Sequence, residues 1–292
     1  MCAQMDMLLT YQLSKLSKEV MSVFRYVSNG KKSIVFGALL LMVVGLESFI
    51  FAQNQPAPTA QAREARQMFA VNLVRVQPGM GREWQDLVKN ELVPALKKGG
   101  VNQYIALRRD TFGGSGEFML FRRIKDLAEL DAPNPMVKAL GQAGATALSA
   151  KLNRLTASLS TVGITSRSDL SIPLSGSAGS EPKLVGMRRI TVAPGRIADF
   201  EKYAKEMVPV MGKTNAKILV ARVANGGDIN EYWQSLICDS FADLGQVSAA
   251  LGKATTDARA PLPAGIVTHV EASTWRTVPE LSIQPPAQKT TK

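Results

Sequence analysis

The sequence holds a single histidine and two cysteines among 292 residues. One imidazole cannot build a His-rich metal site, and two thiols cannot build a disulfide framework, so no metal site is expected. Glycine (23) and proline (15) stand at ordinary levels, which excludes collagen-like and low-complexity chains. Charged residues are only 20% against 46% apolar, which excludes a charge-dominated disordered protein. Catalytic motifs are equally scarce. No G-x-S-x-G nucleophile elbow is present. Gly212-Lys213-Thr214 fails as a phosphate loop, because Met207 stands where that motif needs a glycine. Acidic residues are the scarcer sign, 24 against 35 Lys and Arg, giving a net charge of +11.

Long apolar runs are also lacking. Ile34–Leu46 spans 13 residues, whereas a membrane span needs about 20. Ser33–Ala52 reaches that length only by including Glu47. Lys31 and Lys32 precede the run and Ala52 follows it, the pattern of an export signal. Residues 1–52 are expected to be a signal peptide, with Gln53 as the mature start and Met21 as an alternative initiation point. An uncleaved N-terminal membrane anchor is the competing reading. After cleavage Cys238 is the one cysteine left, read as a small buried hydrophobe. The mature charge is 11 − 2 = +9, since residues 1–52 carry five basic and three acidic residues. That excess is dispersed, so no nucleic-acid partner is expected. A solvated surface, or weak contact with an anionic membrane or cell wall, accounts for it.

What the mature chain does contain is one unit written twice. Val76-Gln77-Pro78-Gly79 answers Val192-Ala193-Pro194-Gly195 at an offset of 116, and Glu83-Trp84 answers Asp199-Phe200. Leu92-Val93-Pro94 matches Met207-Val208-Pro209 at 115, Glu117-Phe118 matches Glu231-Tyr232 at 114, and Ala139-Leu140-Gly141 matches Ala250-Leu251-Gly252 at 111. A period this long means duplicated domains. In each copy an alternating strand runs into a Pro-Gly turn, an amphipathic helix, two strands, a second helix and a last strand. In the first copy these are a strand at 69–76, a helix at 82–98, strands at 104–109 and 117–124, a helix ending near 152 and a strand at 156–165. In the second they are strands near 184–192, 217–223, 230–238 and 266–275, with helices at 197–211 and 241–258.

The order βαββαβ, twice, predicts an α+β protein of two tandem ferredoxin-like units. Each sheet has one face bare of helices, and packing sheet to sheet covers both as an intramolecular α+β barrel. The expected boundaries are a flexible mature N-terminus at 53–66, a first unit at 67–173, a linker at 174–182, a second unit at 183–278 and a flexible tail at 279–292. The Pro78-Gly79 and Pro194-Gly195 turns, the Glu83-Trp84 and Asp199-Phe200 pairs and this element order resemble the dimeric α+β barrel superfamily. That group includes antibiotic-biosynthesis monooxygenase-like, EthD-like and NIPSNAP-like proteins. The resemblance implies the fold, and it admits both oxygenases and haem proteins.

Candidate site residues come mainly from the second copy. His269 and Glu271 lie two apart on a strand, so they share a face, and a carboxylate beside an imidazole raises its pKa toward that of a general base. The first copy has Ser158 and Ser160 there. Trp233 shares a face with Glu231 and Ser235, and on the inter-sheet side it could stack on a planar ligand or simply fill the core. Arg222 and Arg188 are candidates to stabilise a developing anion. Glu117 and Glu231 are expected to pair with Arg108 and Arg222 across neighbouring strands. Trp84 and Phe200 are expected to pack helix on sheet. The leading functional expectation is a small-ligand-binding or structural module for an apolar or aromatic ligand, without a cofactor. A cofactor-independent monooxygenase-like enzyme is the alternative, and haem binding through His269 is a further one. The sequence leaves the oligomeric state open.

Overall fold

The alternation at 69–76 forms β1 (Met68–Val76), and Pro78-Gly79 turns the chain into the first helix. Gly79 sits at φ +81° and its counterpart Gly195 at +77°. A side chain would be strained at either, so both strand-to-helix turns need glycine. The computed structural model describes residues 66–111, 114, 116–172, 182–259 and 261–284. The segment expected to be a signal peptide, most of the expected linker and the end of the expected tail lie outside the described residues.

The single helix expected at 82–98 is built in three pieces. They are α1 (Gly81–Leu87), a π-helical turn (Val88–Leu92) and α2 (Val93–Lys98). Pro94 has no N–H to give the preceding turn, and the wider π turn ends just before Val93-Pro94. β2 (Tyr104–Arg109), β3 (Glu117–Ile124), α3 (Pro135–Leu155) and β4 (Thr156–Ser166) follow. The Asn134 side chain caps α3 by accepting from Met136 N–H at 2.9 Å. The second half has β5 (Leu184–Val192), α4 (Ile197–Met211), β6 (Ile218–Asn225), β7 (Glu231–Cys238), α5 (Phe241–Asp257) and β8 (Val267–Thr277).

The eight strands form one closed antiparallel barrel in the order β1-β3-β2-β8-β5-β7-β6-β4. Cut at the seams, each half reads fourth, first, third, second. The two halves join edge to edge, β2 to β8 and β4 to β6, so the strands close into one sheet. The core therefore has three parts. Trp84 of α1 packs on Phe118 of β3 with ring centroids 4.4 Å apart, outside the first half of the barrel. Phe200 of α4 packs on Tyr232 of β7 at 4.7 Å outside the second. The lumen holds Val71, Leu107, Met119, Met187, Trp233 and Trp275. Eight strands leave an interior that side chains can nearly fill.

The expected free tail is corrected at its start. Pro279–Leu281 forms a 3-10 turn, with Leu281 wholly buried and Ile283 4% exposed. Ile283 bridges Tyr104 of β2, and Ser282 Oγ accepts from Ala106 N–H at 3.1 Å. The segment after β4 does the converse, for Ile172 bridges Ile218 of β6. Each half thus ends by docking on the other. Burial is the physical reason: Leu281 and Ile283 read as short-tail residues in sequence, yet β2 offers them an apolar seat.

Cys238 is buried with a free thiol, and burial pushes its pKa up to about 11, with Asp243 and Asp239 adding to the shift. Alkylation by iodoacetamide at pH 8 should therefore be slow in the native protein and fast in denaturant. Mass spectrometry of the Cys238 peptide reads this out; equal rates would contradict it.

Candidate ligand-binding site

Strand parity decides which of the expected residues meet. Trp233, 2% exposed, faces the lumen. Its Nε1 donates to Glu231, whose carboxylate also accepts from Arg189 Nε at 2.8 Å and Nη2 at 3.0 Å. Arg189, not Arg188, is opposite Trp233 in the β5–β7 register. Arg188 is exposed on the outer face of the barrel. Arg222 also lies outside, over the Tyr232 ring at 5.6 Å, donating to Ile229 O. The expected charge pairs shift by the same logic: Glu117 binds Arg109 at 2.9 Å, and Glu231 binds Arg189.

Glu271 lies near both arginines, 3.3 Å from Arg189 and 3.7 Å from Arg109. Glu117, Arg109, Glu271, Arg189 and Glu231 therefore make a ladder of alternating sign over β3, β2, β8, β5 and β7, crossing one seam of the barrel. Glu231 keeps the Arg189 guanidinium charged by hydrogen bonding, and Glu271 adds to this. His269 is two residues further along β8 and exposed. The structure thus brings Glu271 and Trp233 into one network and leaves His269, Arg188 and Arg222 outside it.

A different place offers the larger volume. Between the outer face of the first half's sheet and α1–α3 lies a cavity of about 690 Å³. Its wall is mainly apolar, including Val74, Leu92, Leu96, Leu120 and Leu152. Polar groups interrupt that wall, two of them on buried aromatic rings. Trp84 is 2% and Tyr104 3% exposed. Neither the indole N–H of Trp84 nor the Tyr104 hydroxyl has a hydrogen-bond partner among the described residues. Thr274 Oγ1 is the one fully enclosed side-chain polar atom without a partner among those residues. Both residues line the cavity. Burial alone holds the Tyr104 phenol above its ordinary pKa, so it is a hydrogen-bond donor at neutral pH. Asn72 and Thr161, hydrogen-bonded to each other at 2.8 Å, and Arg122, paired with Glu129 at 2.7 Å, add to the polar lining, as do Asn134, Asn153 and Asn225. Trp84 packs helix on sheet as its sequence position predicts, whereas Tyr104 is marked in sequence only as the start of a strand. A buried tyrosine opening a strand was the available signal.

No family model matches the chain, and no curated protein matches it in sequence. Solved structures do. A candidate monooxygenase from Lactobacillus acidophilus NCFM overlays with a TM-score of 0.50 at 8% identity, over 75% of this chain and 96% of that one. A candidate monooxygenase from Fusobacterium nucleatum gives 0.51 at 11%, over 73% and 93%. The chain has the α+β barrel fold. A chlorite dismutase variant from Candidatus Nitrospira defluvii gives 0.49 at 10%, over 73% and 92%. At such identities the α+β barrel likeness concerns architecture, and chemistry has to come from the residues of the site.

Those residues bear on the haem expectation. His269 lines neither the outer cavity nor the apolar end of the lumen. Neither of these two spaces is therefore placed to hold a haem on His269. Among the described residues no cluster of three or more His, Cys, Asp or Glu side chains is placed to hold a metal ion, and no helix is long and apolar enough to cross a membrane.

Proposed function

We propose that this protein is a small-ligand-binding α+β barrel whose ligand sits in the outer cavity of the first half. The reading rests on one observation. Two buried aromatic side chains, Trp84 and Tyr104, line a mainly apolar cavity and carry an N–H and an O–H without partners among the described residues. A buried donor left unpaired is costly, by about 1–3 kcal/mol each. A bound acceptor removes that cost. The matching ligand is a flat, mostly hydrocarbon molecule with one or two acceptor oxygens, of a size suited to cavities of this class.

The test uses 1,4-naphthoquinone, followed by tryptophan fluorescence quenching. Tyr104→Phe is expected to weaken binding roughly fivefold to tenfold, the worth of one hydrogen bond. It should leave the melting temperature of the free protein unchanged or slightly raised, since the hydroxyl has no partner among the described residues to lose. If Tyr104→Phe binds 1,4-naphthoquinone as tightly as the wild type, the cavity reading fails.

A second reading, oxygenation of an aromatic substrate without a cofactor, draws support from the two candidate monooxygenases of like fold. In it Trp84 and Tyr104 orient the substrate oxygen and the apolar wall excludes water. None of the expected base and anion-stabilising residues, His269, Arg188 and Arg222, lines this cavity. Binding is therefore the preferred function. We also read the two halves as ferredoxin-like copies, supported by their shared strand order and by the matched Trp84–Phe118 and Phe200–Tyr232 stacks. The protein is further proposed to be exported, with cleavage after Ala52. Mass spectrometry of the mature chain should find an N-terminus at Gln53; intact peptides crossing Ala52 would contradict cleavage.

A further inference from the structure

The barrel lumen is not filled to both ends. Where Pro182 enters β5, it opens as a well of about 420 Å³, walled by Phe69, Ile105, Phe121, Met187, Trp233 and Ile237. The lumen face of β7 runs Glu231, Trp233, Ser235, Ile237, so the indole of Trp233 stands between the ionic ladder and the well. Among the described residues no charged one lines the well. Its polar side chains are Gln67 and four serines. Ser166 Oγ already accepts from Gln67 N–H at 2.7 Å. Ser171 Oγ donates to Arg167 O at 2.7 Å and accepts from Val220 N–H at 2.9 Å. Ser168 is exposed at the rim. Ser235 differs from these. It is half-buried between Trp233 and Ile237, and its hydroxyl has no hydrogen-bond partner among the described residues. It is also not a fully enclosed atom, so it faces open space in the well.

We propose that this well is a second binding site, separate from the outer cavity, for an uncharged and largely hydrocarbon molecule carrying one hydroxyl or carbonyl oxygen that Ser235 hydrogen-bonds. The exclusion of charge follows from the wall. An ionised carboxylate or ammonium would lose its water and meet no counter-charge. The ladder that could supply one lies beyond Trp233.

The experiment compares 1-decanol with decanoate at pH 8, by calorimetry and tryptophan fluorescence, on the full chain. Binding of 1-decanol is expected, with decanoate weaker by roughly tenfold or more because its charge must be desolvated. Ser235→Phe fills the well and should abolish 1-decanol binding. Ala70→Phe, which fills the outer cavity instead, should leave 1-decanol binding intact while blocking 1,4-naphthoquinone. Loss of 1-decanol in Ala70→Phe but not in Ser235→Phe overturns the proposal, as does equal affinity for decanoate or no binding of 1-decanol. Should Ser235→Phe fail to fold, crystals of the unaltered protein under xenon pressure decide the matter, since dry apolar cavities take up xenon. Anomalous density beside Trp233 and Ser235 supports the site, and a well without xenon overturns it. The naphthoquinone result stands or falls separately.

Discussion

Replacing Arg167 with methionine is expected to lower stability by about 3 kcal/mol, the low end for removing one member of a buried ion pair. The Arg167 side chain is 8% exposed and binds Asp169 with two nitrogens at 2.8 Å each. It also donates to Glu201 of α4, whose carboxylate accepts from Tyr232 Oη at 2.6 Å. The guanidinium thus ties the end of the first half to the helix layer of the second. Removing it leaves Glu201, 20% exposed, with Tyr232 and an Arg222 that stays 3.9 Å away. Asp169 is 43% exposed, so water recovers much of its share, which is why the lower figure applies. Replacing both ends, in Arg167→Met with Glu201→Leu, should restore part of the loss, because no buried charge is then left alone. Chemical denaturation measures both variants; equal stability of Arg167→Met and the unaltered protein would contradict the network's role.

The same network sets a pH response. Arg167 holds the Asp169 carboxyl down to about 2, and it lowers that of Glu201. Carboxylates depressed in the folded state contribute stability that is present above their unfolded pKa and lost as pH falls toward the folded value. Stability should decline from about pH 5 to about pH 2, and the decline should be shallower in Arg167→Met. Parallel slopes in the two proteins would show that other carboxylates govern acid unfolding.

Truncating Leu281 to alanine is expected to cost a further large amount, about 3 kcal/mol, by leaving a cavity in a site that cannot collapse. Leu281 is wholly buried in the core shared with Trp84, Tyr104 and Phe118. Its neighbour Ile283 exchanges backbone hydrogen bonds with Tyr104, at 2.9 and 2.6 Å. The docked segment therefore supports the tyrosine that the outer cavity uses. Leu281→Ala should weaken 1,4-naphthoquinone binding as well as stability, whereas Tyr104→Phe should affect binding alone. Thermal melts and fluorescence titrations on the two variants separate these effects.

Element order was legible because period-2 and period-3.6 patterns with Pro-Gly turns are local signals. β5 and α4 lie at the residues those patterns predict. The lumen face of β7 was legible too, since alternation alone puts Glu231, Trp233 and Ser235 together. What failed was the choice between adjacent arginines. Arg108-Arg109 and Arg188-Arg189 each offer one side chain to either face, and only the pairing register, Arg189 opposite Trp233 and Arg109 opposite Trp275, selects the inner one. His269 and Glu271 do share a parity, but His269 is exposed opposite Thr191 while Glu271 is held by Arg189 and Arg109. The outer cavity was not legible at all. It depends on how far α3 stands from the sheet, which no residue spacing encodes.

Closing the barrel has a consequence for how this protein meets others. Every strand has a hydrogen-bonded neighbour on both sides, β4 and β8 as much as β1 and β5. An open sheet margin invites a foreign peptide to extend it, or a second molecule to aggregate along it. At the seams that margin is closed over only three residue pairs between β2 and β8 and four between β4 and β6, so the exposed stretches of β4 and β8 beyond them are where a foreign strand could still add.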